Sequence, residues 1–383
     1  MQAATISSTS SRIYLDHAAT TPMLPAARDA WLQGVAIWAN PSSPHAPGRA
    51  ARAALEEARA RVKAALGWDG EVLFTSGASE ALAIGLGRAK AERRLVSAVE
   101  HDAVFRAAPD AEVLPIGARC QVDRDVLARL LGAPGRVAVA IQHVNSETGV
   151  IQPVSEYAAM IREAGGVLLS DCSQSAGKFR LPDADMIVVS GHKLGGPVGI
   201  GALLVRDFAM LEPSGGQERG YRAGTENLPA AMAFAAALEA RRIATKTVGE
   251  GMDIAAIEGW ADWVTRASRA FGDIEYGIDR LGGIFQGVEA TDWDPSILSI
   301  TMPGVSAAAQ LIQFDSAGFA VSAGSACSSG TLKQSRTLLA FGVPEEEARN
   351  TIRMSAGWNT RYEDVIAFAR TWGEIASRAG KRS

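Results

Sequence analysis

The stretch DMIVVSGHKLGGPVGIGALLV, residues 185–205, sets two apolar runs around a single lysine, Lys193. DMIVVS and GIGALLVR are short, rich in Val, Ile and Leu, and bounded by small or polar residues. Short apolar runs without polar alternation are the pattern of strands covered on both faces. Lys193 follows the first run and lies among Val188, Val189, Gly195 and Gly196, which offer little polar surface. Most lysines are solvated surface groups. A lysine removed from water has a lowered pKa and an amine able to form a Schiff base.

Working outward, the same pattern recurs. EVLFTS (71–76), RLVSAV (94–99), RVAVAIQ (136–142) and GVLLSD (166–171) alternate with helical stretches. That alternation predicts an α/β fold with a mostly parallel sheet, in which ligands bind beyond the carboxyl ends of the strands. PGRAARAALEEARARVKAALG (47–67) predicts an amphipathic helix, with Ala51, Leu55, Ala58, Val62 and Leu66 at helical spacing. A second, alanine-rich helix is expected from about Leu228 to Ala244. Beyond it the strand pattern weakens. We therefore expect a large domain over 16–245 and a smaller α+β domain formed by 1–15 and 246–383.

Composition narrows the function classes. With 383 residues and 47% hydrophobic content, the chain can bury the cores of two domains. A net charge of −4 leaves no basic footprint for nucleic acid. The polar N-terminus MQAATISSTSSR lacks an apolar signal core, and no apolar run reaches membrane-spanning length. A cytoplasmic protein without membrane contact is expected. Cys120, Cys172 and Cys327 are odd in number and far apart, against a disulfide framework or a cysteine zinc site. The five histidines show no H-E-x-x-H spacing, and no metal site is expected.

The strand ends carry the chemistry. FTSGASEALAIG (74–85) reads as strand, glycine turn and helix start, presenting free N–H groups at Gly77, Ala78 and Ser79 to an anion, unless the turn merely caps the helix. GVLLSD ends in Asp171, and DMIVVS in Ser190, with His192 and Lys193 just beyond. The nearby QSAGKF lacks the spacing of a P-loop. An anion-binding helix start, a strand-end aspartate and a desolvated lysine are together what pyridoxal 5'-phosphate requires. The lysine joins its aldehyde, the carboxylate keeps the pyridine nitrogen protonated, and N–H groups and hydroxyls hold its phosphate.

With these pieces the sequence resembles the cysteine desulfurases of the NifS/IscS type, within class V of the aminotransferases. The resemblance runs from about Tyr14 to Thr360. It rests on YLDHAATTP, NPSSPHAPGRAA, FTSGASE, EHDAV, HVNSETGVIQP, DCSQSAGK, SGHKLGGPVGIGAL, GGQERGYRAGT, SAGSACSSG and IRMSAGWNT. It implies the fold type I of pyridoxal phosphate-dependent transferases, with a mostly parallel seven-stranded sheet flanked by helices on both faces. It also implies a homodimer with sites at the interface. Lys193 would hold the cofactor and move the α-proton, Asp171 would face the pyridine nitrogen, and His101 would stack on the ring. Gln174 would bond the ring hydroxyl, a contact for which Ser146 stands where the family has a second asparagine. Ala78, Ser79, Ser190 and His192 would hold the phosphate, and Thr225 would reach the phosphate of the other subunit. Arg353 would clamp the substrate carboxylate, a bidentate task suited to guanidinium, with Asn40 as a further substrate-binding candidate. Cys327 matches the nucleophile.

The implied reaction converts L-cysteine to L-alanine and leaves a persulfide on Cys327, which passes to an acceptor protein. Iron–sulfur cluster assembly, tRNA thiolation and DNA phosphorothioation are open destinations. The chain ends about twenty residues after WNT, shorter than the scaffold-docking tail of the housekeeping iron–sulfur enzymes, so a different acceptor is expected. Another class V enzyme, such as an aminotransferase or a selenocysteine lyase, is the alternative. A non-catalytic binding protein is opposed by the set Lys193, Asp171, His101 and Arg353. Structural roles are expected for His17, His45 and His143, and small packing roles for Cys120 and Cys172.

Overall fold

The apolar runs of the sequence pair into one sheet. The computed structural model describes residues 12–241, 283–286, 290, 292–324 and 334–380. After a two-residue strand β1 (Ile13–Tyr14) come β2 (Glu71–Thr75), β3 (Arg93–Ser97), β4 (Glu112–Leu114), β5 (Val137–Ala140), β6 (Val167–Asp171), β7 (Met186–Ser190) and β8 (Gly201–Val205). The last seven form a sheet in the order β2-β8-β7-β6-β5-β3-β4. Its neighbours are parallel except around β8, which is antiparallel to both β2 and β7. Strands β5 to β8 are buried at every residue, which is why they show no polar alternation.

Helices cover both faces. One face packs against helices that include Ala46–Leu66, Val154–Glu163 and the alanine-rich Leu228–Ala240; the other packs against Ala78–Gly85 and Asp102–Ala107. The first of these helices forms for local reasons. His45 Nδ1 accepts the Gly48 N–H at 3.1 Å at its start, and Gly67 ends it with φ 62°. Leu228–Ala240 ends before the Ala244 expected from sequence, and residues 242–244 lie outside the described set.

A second core gathers Leu15, Ile300, Phe314, Phe319, Ile352, Phe368 and Trp372. Around it, β9 (Ile284–Gln286), β10 (Ile297–Thr301) and β12 (Thr351–Ser355) form an antiparallel sheet in the order β12-β10-β9. β1 runs parallel to β11 (Phe319–Ala320). Phe314 and Phe368 stack with centroids 4.9 Å apart.

The segment after β1 ties the two sheets together. The His17 N–H donates to the Ser355 carbonyl at 3.3 Å, the Thr21 N–H to the His192 carbonyl at 2.8 Å, and the Leu24 N–H to the Gly195 carbonyl at 2.9 Å. Gly357 lies so close to the His17 ring that a Cβ there would stand 2.0 Å from Nδ1. YLDHAATTP thus joins the lysine turn to β12. No described helix is long and apolar enough to cross a membrane.

Candidate active site

Chain direction brings the site residues to one edge. Asp171 ends β6 and Ser190 ends β7. Because β8 runs the other way, its first residue, Gly201, stands on the same edge, paired with Thr75 on one side and Ser190 on the other. A Cβ on Gly201 would lie 2.9 Å from Gly77 Cα and 2.7 Å from the Val189 carbonyl oxygen. Glycine therefore lets the turn at Gly77 rest directly on the sheet edge. Gly77 is the N-cap of Ala78–Gly85 and supplies no capping side chain, so the first N–H groups of that helix keep their capacity for an anion. Ser79 is exposed beside them. In the neighbouring strand the Ser190 hydroxyl is buried without a partner. A buried hydroxyl left unpaired is costly unless a ligand completes it.

Lys193 sits in the turn Gly191–Lys193, partly buried. The Thr21 hydroxyl donates to its carbonyl at 3.0 Å. Burial lowers the pKa of its ammonium; Asp171 opposes this, and the cations Arg353 and Lys178 add to it. Asp171 pairs with Val188 of β7, two residues before the strand end that leads into the lysine turn. The Asp171 Oδ1 accepts the Ser173 N–H at 2.9 Å.

His101 caps the helix Asp102–Ala107, its Nδ1 accepting the Ala103 N–H at 3.1 Å. That bond puts the proton of the neutral ring on Nε2. The ring stays partly open to solvent, yet desolvation by the atoms around it lowers its pKa, Lys193 adds to the effect, and Asp171 opposes it. His192 Nδ1 lies 3.1 Å from the Thr20 hydroxyl, and its pKa is pushed down to about 4 by burial and by Lys193. Both imidazoles are therefore neutral near pH 7. Gln174 donates from Nε2 to the Ala18 carbonyl at 2.8 Å.

Arg353, central in β12, is buried and fully engaged on one side. Its Nη2 donates to Asp16 Oδ1 at 2.7 Å and its Nη1 to the Ser146 carbonyl at 2.9 Å. Its Nε–H is buried with no acceptor. The neighbouring Asn145 is turned into its own turn. Its Oδ1 accepts the N–H groups of Glu147 and Thr148 at 2.9 Å, and its Nδ2 donates to the Val99 carbonyl at 3.3 Å.

Two candidates sit apart in kind. Asn40 is exposed and turned into its own loop, its Oδ1 accepting the Ser42 N–H at 2.9 Å. Thr225 is exposed, on a loop tied back by Arg222 to Glu80 at 3.1 Å and by the buried pair Glu218–Arg59 at 2.6 Å. Cys327 lies outside the described residues. Cys172 is fully buried, and burial pushes its thiol pKa up to about 12, so it is no nucleophile. His17 is buried and neutral, its pKa lowered to about 3 by burial and then by Arg241 and Lys178. Asp16 of YLDHAATTP and Glu100 of EHDAV are further buried or ion-paired groups whose partners lie far off in sequence. The Glu100 carboxyl is fully buried, with Oε1 accepting the Gln142 N–H at 2.7 Å and Oε2 unpartnered. Desolvation raises its pKa well above the usual carboxylate range, and Asp171 adds to that.

A lysine between two buried strands, an aspartate on the adjacent strand end and an open helix N-terminus thus share one edge of the seven-stranded sheet. The chain belongs to the class V aminotransferases, whose family description, Aminotransferase class-V, matches residues 13–368. Within that class its relatives include cysteine desulfurases. It is 32% identical to the putative cysteine desulfurase IscS 1 of Bacillus subtilis, over 96% of this chain and 99% of that one. It is 35% identical to the IscS-like cysteine desulfurase of Mycobacterium tuberculosis, over 96% of both. Among solved structures it resembles a NifS-like protein from Rickettsia africae, with a TM-score of 0.83 and 27% identity over 96% of this chain and 99% of that one. It also resembles DndA from Streptomyces lividans, with a TM-score of 0.67 and 31% identity over 89% and 99% of the two chains.

Proposed function

We propose that the chain is a pyridoxal phosphate-dependent cysteine desulfurase that converts L-cysteine to L-alanine and carries the sulfur as a persulfide on Cys327. The observation that carries this reading is the meeting at one sheet edge of a desolvated Lys193, Asp171 and the unpaired Ser190 hydroxyl, with Arg353 of β12 near enough to act on the lysine's charge. The residues fit the cofactor. Ser190, Ser79, His192 and the N–H groups of the helix Ala78–Gly85 would hold the phosphate, and Asp171 would offer a carboxylate to the pyridine nitrogen. Gln174 and Ser146 would serve the ring hydroxyl, and His101 would offer a neutral ring face. Bound there, pyridoxal phosphate supplies an electron-accepting ring that stabilises negative charge at the substrate α-carbon.

The protein's own groups do the rest. Arg353 takes the substrate carboxylate, an acceptor for its orphaned Nε–H. The Lys193 amine, held below its ordinary pKa, removes the α-proton and returns one. The Cys327 thiolate attacks the cysteine Sγ. The new S–S bond forms as the Cβ–Sγ bond breaks, and the carbon keeps the electron pair and takes a proton. L-Cysteine and a thiol thus become L-alanine and a persulfide, which an acceptor protein collects.

Mass spectrometry of the holoenzyme after incubation with L-cysteine tests this. The expected result is one added sulfur on Cys327 and on no other thiol. Cys327→Ala should stay yellow yet release no sulfide, and undiminished sulfide release to an acceptor would overturn the assignment of the nucleophile.

Two further parts of the proposal concern organisation. The separate cores support a division into 16–245 and 1–15 with 246–383. A homodimer is supported by Trp31, Leu32, Val35, Ile37 and Trp38, exposed along and just after the helix Pro25–Ala36. Light scattering should give twice the 40.2 kDa chain mass; a single-chain mass at micromolar concentration would remove the dimer.

A further inference from the structure

Ser335 and Arg336 follow the Cys327-bearing segment in the chain, and both are fastened to loops of the cofactor-binding sheet. Ser335 is 3% exposed. Its hydroxyl accepts the Leu338 N–H at 3.0 Å, capping the helix Arg336–Ala340, and donates to Glu147 Oε2 at 2.5 Å. Glu147 is itself buried, 6% exposed. Its backbone carbonyl accepts the Ser299 hydroxyl at 2.8 Å, which fixes the turn to β10. The preceding residue of that turn, Ser146, is the one whose carbonyl holds Arg353. On the other side of the segment, a Cβ at Gly324 would stand 3.7 Å from the same Glu147 oxygen. Residues before and after the segment therefore converge on one carboxylate.

Arg336 reaches a second loop. Its guanidinium donates to the Glu100 carbonyl at 2.6 Å and to the Ala98 carbonyl, and lies 4.0 Å over the Phe105 ring. It thereby grips the turn that carries His101.

We propose that Glu147 is a positioning residue that fixes the root of the Cys327 segment, through Ser335, to the turn holding Arg353. Substrate carboxylate and nucleophile are then referenced to one rigid turn. This rests on Cys327 being the nucleophile. Glu147 acts in this proposal through Ser335, with no contact to substrate or cofactor assigned to it. A misplacement of about 1 Å costs roughly 100-fold in a reaction that depends on alignment, so loss of the link should act on sulfur transfer and spare substrate binding.

The test uses the holoenzyme and the variants Glu147→Ala, Ser335→Ala, the double variant, and Ser335→Thr. Rapid mixing with L-cysteine, acid quench and mass spectrometry give the rate of persulfide formation on Cys327; KM and cofactor colour are measured alongside. Each single alanine variant should slow persulfide formation about 10-fold or more while KM stays within about 2-fold. The double variant should be no slower than the slower single one, because both changes break the same link. Ser335→Thr keeps the hydroxyl and should restore the rate. If Glu147→Ala does not fold, the contrast between Ser335→Ala and Ser335→Thr decides alone. Wild-type rates in the alanine variants, or single effects that multiply in the double variant, would overturn the proposal. Absence of any persulfide on wild-type Cys327 would instead overturn the nucleophile and, with it, this link.

Discussion

Lys193→Ala is expected to lower kcat/KM for L-cysteine by about 10⁴-fold or more, because covalent attachment and proton transfer are lost together. Among the described residues no neighbouring amine is offered in its place: Lys178 is bound to Asp294 Oδ2 at 3.0 Å and Ser296 Oγ at 3.2 Å. The fold should survive. The lysine ammonium is disfavoured by burial and by Arg353 and Lys178, so its removal takes away a poorly solvated cation. Calorimetry of the cofactor-free variant should show a melting temperature at or above that of the parent, while sulfide release vanishes. An active variant would remove Lys193 from the chemistry, and one that melts far earlier would show that it acts through structure.

Arg353→Ala should lower kcat/KM by about 100-fold or more, the cost of removing one partner from a buried, charged contact. Lysine should not rescue it, because a point charge cannot serve Asp16, the Ser146 carbonyl and a carboxylate at once. The variant also leaves Asp16 unpaired, so some stability is lost. Comparing L-cysteine with cysteamine, which lacks the carboxylate, separates the two effects. The parent should favour cysteine strongly, and Arg353→Ala should lose that preference. A preference that persists would place the carboxylate elsewhere.

Much of the fold was legible because fully buried strands have a simple vocabulary. Met186–Ser190 and Gly201–Val205 are buried throughout, and runs of Val, Ile and Leu carry that fact openly. β4 was not seen: Glu112 and Val113 are exposed, and three residues with one buried side chain leave little trace. The reversed direction of β8 was not read either, since an apolar run looks alike both ways. The signal was in its connection: Gly191–Ile200 is too short and glycine-rich for the crossover that a parallel pair requires.

In the site, Asp171, Ser190 and Lys193 were readable as strand-end residues. Asp16 opposite Arg353 and Glu147 under Ser335 were not. These contacts span 337 and 188 residues, and no local pattern encodes which distant loops meet. His45 and His101 both cap helices through Nδ1, a role that short-range sequence carries; what sequence does not carry is that His101 alone of the two feels the charges of Lys193 and Asp171.

The tie between Asp16 and Arg353 has a cost in polymer terms. Strands β7 and β8, which bracket Lys193, pair within the span Met186–Val205, so the lysine wall is closed by a loop of local length. The Asp16–Arg353 wall closes a loop of 337 residues. Each doubling of loop length adds about 0.6 kcal/mol of closure entropy. The arginine wall therefore carries ~2–3 kcal/mol more of that entropy than the lysine wall. A carboxylate that binds only when the long loop is shut shifts the ensemble toward the closed chain by mass action. The amino acid that the enzyme consumes is thus also a clasp for the two ends of its own polypeptide.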